Sequence, residues 1–135
     1  MVKRRRGART ARPRSRHRPF DELVAIALDS IPEPFASALD EVAVVIADEP
    51  TADQRHENEV GPDETLYGLY EGVPRTEWGA DWASIPNRIT LFRLPLEEDF
   101  ADPDDLADEV WVTVVHELAH HLGIDDDRLR ELGID

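Results

Sequence analysis

The chain has 135 residues, 41% of them hydrophobic and 33% charged, the size and composition of one globular domain with a core of its own. The absence of cysteine excludes disulfides, thiolate metal sites, iron–sulfur clusters and thiol catalysis. The longest aliphatic run, Val42 to Ala47, falls far short of the roughly 20 residues that a membrane span needs.

The net charge of −15 conceals a division. Residues 1–18 hold nine of the fifteen basic residues and no acid, whereas the remainder sets six arginines against thirty acids, a net charge of −24. Residues 1–19 are therefore expected to be a disordered basic leader, because an Arg/Pro/Ser composition has nothing to bury. Residues 20–135 are expected to form the domain. So acidic a body repels phosphate, which leaves nucleic acid only a weak contact through the leader. An apolar segment does not follow the arginines, so an export signal is not expected and the chain is placed in the cytoplasm.

From Phe20 to Ile31 the apolar residues Leu23, Ile26, Ala27 and Ile31 recur with a helical period. Pro32 and Pro34 end that helix, and Glu33 to Leu39 is expected to form a second, short one. Val42 to Ile46 is β-branched and of strand length. Thr51 to Glu64 lacks a period and predicts a loop. Leu66 to Val73 predicts a strand with two glycines, and Pro74 to Asn87 a second loop, carrying Trp78 and Trp82. Ile89 to Leu94 predicts a strand ended by Pro95.

The next helix is marked at both ends. Asp102 suits the N-cap, Pro103 the first helical position, and Asp104 and Asp105 the positive end of the helix dipole. Gly123 supplies the stop. Between them runs His116–Glu117–Leu118–Ala119–His120. At about 100° per residue, the two histidines lie about 40° apart, one turn above the other, and Glu117 flanks them at about 100°. Trp111, Val114, Val115, Leu118 and Leu122 cover the opposite side. Two imidazoles so placed can both reach one zinc ion, and a glutamate beside them is placed to deprotonate water rather than to bind metal.

Gly123 and Asp126 extend the pattern to HExxHxxGxxD. A glycine free to take a positive φ lets the chain double back, so that a side chain three residues on returns towards the metal. Asp126 is the best third ligand, with Asp125 and Asp127 as fallbacks and His56 or a distant carboxylate ranked behind them. Alternatively, Asp126 is simply the N-cap of a last helix, Asp127 to Leu132.

From Phe20 onward the chain resembles the small zincin-like proteins, or minimal zincins. The resemblance lies in FDELVAIALDSIPEPF, VAVVIADEP, LYGLYEGVP, RITLFRLPLE and VVHELAHHLGIDDDRLRELG. It implies an α+β fold, a small sheet packed on the metal-bearing helix with accessory helices. It also implies one zinc ion per chain held by His116, His120 and Asp126, with Glu117 as general acid/base. The basic leader has no place in the family pattern.

Five further residues bear on the site. His121 points about 140° round the helix from His116 and is expected to pack or hydrogen-bond behind the ligands. Gly68, Tyr70 and Gly72 share one face of a regular strand, and glycines there mark a close approach or an edge that a peptide can join. The hydroxyls of Tyr67 and Tyr70 are candidate donors to an oxyanion. The expected function is a zinc-dependent peptidase acting on a peptide or protein. The alternatives are a non-catalytic zinc or interaction domain, and a nucleic-acid-associated protein working through its leader. Two histidines and a carboxylate also suit iron(II).

Overall fold

A computed structural model describes residues 20–72 and 87–134, together with the backbone of 2–5. Trp78, Trp82 and the rest of the leader lie outside the described residues. The elements run β1 (Val2–Arg5), α1 (Phe20–Asp29), α2 (Phe35–Ala38), a 3-10 turn at Leu39–Glu41, β2 (Ala43–Ala47) and α3 (Ala52–Glu57). Then come β3 (Glu64–Glu71), β4 (Arg88–Phe92), α4 (Arg93–Asp99), α5 (Pro103–Leu122) and α6 (Asp126–Glu131). This is the α+β class expected. No helix among the described residues is long and apolar enough to cross a membrane.

The four strands form one sheet in the order β1-β3-β4-β2. β3 is antiparallel to both neighbours, and β2 runs parallel to β4. Its long helix, α5, packs on β3, and α1 and α2 pack on α5. Val110, Val114, Val115 and Leu118 of α5 are fully buried against Phe35, Ile89, Leu91 and Leu96 in one core. Each such side chain contributes about 1.5–3 kcal/mol by leaving water, so the core holds α5 fast on the sheet.

Four expectations are corrected. Part of the leader is ordered as a strand: Val2–Arg5 pairs with Glu64–Gly68, because the outer edge of β3 offers backbone partners that need no buried side chain. The expected loop from Thr51 contains α3, started by a capping box. Thr51 Oγ1 accepts from the Gln54 N–H at 3.0 Å, while Gln54 Oε1 accepts from the Thr51 N–H at 2.9 Å. Pro95 does not end a strand but sits in the first turn of α4, where its missing N–H costs no helical bond. Finally, α6 starts at Asp126, with Asp125 as its cap.

Candidate active site

The termini of α5 form as the residue types dictate. Asp102 accepts from the N–H groups of Asp104 and Asp105 at 2.8 and 3.3 Å. Gly123 ends the helix in the left-handed conformation, with φ 75°. The side-chain order round the helix then sets the site. His116 is half-buried and His120 exposed, one turn apart, while Glu117 and His121 have no exposed surface. Glu117 is therefore more enclosed than a helical wheel suggests. The wheel shows only what the helix carries; β3 covers the sector where Glu117 and His121 stand.

Gly68 permits that cover. A Cβ built on it would lie 2.5 Å from Thr113 Cγ2, so α5 approaches β3 here more closely than any other residue type allows. One helical turn beyond Thr113 stands Glu117, and two residues beyond Gly68 stands Tyr70. The match brings the Tyr70 N–H within 3.0 Å of Glu117 Oε1. One more turn brings His121, whose Nδ1 is 2.8 Å from the Tyr70 hydroxyl. The ring of Tyr70 lies 5.1 Å from that of His120, tilted by 58°. Its hydroxyl also meets Asn87 Oδ1 at 3.1 Å.

Burial pushes the Glu117 carboxyl above the usual carboxylate range, with the Tyr70 N–H acting in the opposite sense by stabilising the anion. His121 Nε2 is 2.8 Å from Glu41 Oε2. Glu41 is a functional candidate that sequence reasoning missed, since it lies 80 residues from His121 in a segment with no motif.

The metal donors can be tested against these surroundings. His116 Nε2 is buried and has no hydrogen-bond partner among the described residues, the state of an imidazole nitrogen kept for a ligand. His120 projects on the same face one turn later, so this pair fits a zinc ion or another divalent metal. The third expected donor is not brought in. Asp126 is exposed on the first turn of α6, and among the described residues no three His, Asp or Glu side chains form a group able to hold an ion. Asp125 is committed to capping α6 through the Arg128 N–H at 2.8 Å, and Asp127 pairs with Arg130. His56 is exposed on α3.

Gly72 lies just past β3, against Asn87. The Tyr67 hydroxyl donates to Asp99 Oδ2 at 2.6 Å, and is thus engaged away from Tyr70 and Glu117. The edge of β3 expected to receive a peptide already pairs with β1 from Glu64 to Gly68.

Similarities to known proteins identify the family. A solved structure of a conserved hypothetical protein from Thermus thermophilus is 27% identical, with a TM-score of 0.51 over 86% of this chain and 96% of that one. No curated protein matches. The family model described as zincin-like metallopeptidase matches residues 39–134, which take in every strand but β1 and all of α5 and α6. The chain belongs to the zincin-like metallopeptidase family.

Proposed function

We propose that the protein is a zinc-dependent peptidase of the cytoplasm, with His116 and His120 holding the metal, Asp126 closing on it as third ligand only when the ion binds, and Glu117 moving the proton. The observation that carries this reading is the pairing of Glu117 with its surroundings. A fully buried carboxyl stands one residue from an imidazole whose Nε2 has no hydrogen-bond partner among the described residues, and a backbone N–H fixes one of its oxygens. A residue serving stability alone gains little from a buried carboxyl, which burial penalises.

Zinc bound there supplies Lewis acidity for a substrate carbonyl and for the attacking water. With Oε1 held by Tyr70, Glu117 takes the proton of that water at Oε2 and later delivers it to the leaving amine. The face that His116 and His120 share is where a peptide would have to be bound for Glu117 to serve its cleavage.

The test compares wild type with Glu117→Gln on a broad peptide library, with zinc content measured on both. Wild type is expected to cleave, and the variant to hold zinc and cleave at least about 10²-fold more slowly. Equal cleavage by both overturns the role of Glu117. Full zinc occupancy without cleavage by either favours a non-catalytic zinc domain.

A further inference from the structure

Tyr70 touches both halves of the candidate site by different atoms. Its backbone N–H holds Glu117 Oε1 at 3.0 Å, and its ring lies against His120 at 5.1 Å. What fixes the ring itself is a line of polar groups leading away from the metal face. The Tyr70 hydroxyl meets His121 Nδ1 at 2.8 Å, and His121 Nε2 meets Glu41 Oε2, also at 2.8 Å. Three separate segments contribute: β3, α5 and the 3-10 turn that leads into β2.

The chemistry of the three groups fixes their direction. A carboxylate only accepts, so His121 Nε2 carries a hydrogen towards Glu41. With that hydrogen on Nε2, Nδ1 accepts the one phenolic proton at 2.8 Å, the shorter of the hydroxyl's two contacts, the other being Asn87 Oδ1 at 3.1 Å. His121 is fully buried, and taking such a chain out of water is costly, so an apolar trio would pack at least as favourably. The gain specific to the polar chain is orientation.

We infer that Glu41, His121 and Tyr70 form a positioning relay that sets the His120 ring relative to the Glu117 carboxylate. The inference rests on the zinc-peptidase reading for its purpose, but its test does not require cleavage. The relay is not a set of catalytic residues: Glu41 and His121 act through Tyr70, and Tyr70 acts through His120 and Glu117.

The experiment takes the full chain as wild type, Tyr70→Phe, Glu41→Ala and Glu41→Gln. Zinc affinity is measured by chelator competition, the visible absorption of the cobalt(II)-loaded protein records metal geometry, and thermal unfolding checks the fold. Tyr70→Phe keeps the ring and the N–H. It is expected to weaken zinc by about tenfold, the lower end of the usual effect of losing a group that orients a ligand, and to shift the cobalt band. Glu41→Ala should do the same. Glu41→Gln, whose amide oxygen still accepts from Nε2, should restore both. Wild-type affinity and band in Tyr70→Phe, or equal losses in Glu41→Ala and Glu41→Gln, overturn the relay. If wild type takes up neither metal, the zinc reading fails on its own. The relay is then judged by the ring ¹H–¹⁵N signals of His120 in the metal-free chains: movement in Tyr70→Phe and Glu41→Ala supports it, and unmoved signals overturn it.

Discussion

Thr113 of α5 lies directly over Gly68 of β3, 2.5 Å from where a β-carbon would stand. That contact sets the offset of helix on strand, and the offset brings Glu117 to the Tyr70 N–H. Gly68→Ala is therefore expected to force the helix outward, at a cost of about 1–3 kcal/mol. Adding Thr113→Ser removes the opposing methyl group, keeps the hydroxyl and should recover most of the loss. Denaturant unfolding of the single and double variants checks this. An unchanged stability in Gly68→Ala would mean that the helix and strand are free to slide.

The raised proton affinity of Glu117 gives a signed pH dependence in metal-free protein. A carboxyl that burial holds above its ordinary value of 4.5 favours the folded state while protonated. Its contribution is complete below the unfolded value and is lost as pH rises through the folded one. Stability should fall across that window in wild type and not in Glu117→Gln, which should be the more stable of the two at neutral pH. Parallel unfolding curves at each pH would contradict the enclosure of Glu117.

Metal binding should be separable from helix capping within three consecutive aspartates. His116→Ala and His120→Ala are expected to abolish stoichiometric zinc, and Asp126→Asn to weaken it at least tenfold. Asp125→Ala should instead remove the α6 cap, costing about 1 kcal/mol with zinc retained. Elemental analysis and chelator competition distinguish the two positions. Chelation of wild type should also lower the unfolding temperature and open residues beyond Gly123 to proteolysis.

Gly123 turns the chain from α5 towards α6 at φ 75°. Gly123→Ala should cost about 1 kcal/mol, and Gly123→Asn less, since asparagine tolerates this conformation better. Thermal unfolding gives the order. If alanine costs no more than asparagine, the turn has another solution.

The sequence made α5 legible because its signals are local: an aspartate cap, a proline at N1 and a glycine stop act within a few residues of one another. The same locality revealed the His116–His120 pair. By contrast, α3 was hidden by its polarity, since it has no buried residue and no apolar stripe, and rests on the Thr51–Gln54 box. The enclosure of Glu117 and the partners of His121 were illegible for a different reason. Both depend on Gly68 admitting a helix from 45 residues away in the chain, and on Glu41 arriving from a third segment. Periodicity describes one element's faces and carries no record of which neighbour covers them.

The strand Val2–Arg5 gives β3 a resident competitor. Any extended peptide that seeks the same backbone groups between Glu64 and Gly68 must wait for those residues to detach. Its apparent affinity is its intrinsic affinity scaled by the fraction of molecules in which the edge is bare. That fraction is itself tunable. The segment belongs to a stretch with nine basic residues in a chain whose remainder has a net charge of −24, so rising salt, which screens attraction between the two, is expected to enlarge the bare population. A salt-dependent gain in peptide binding, absent when Lys3→Pro breaks the pairing, would be the signature of this molecular self-occupancy.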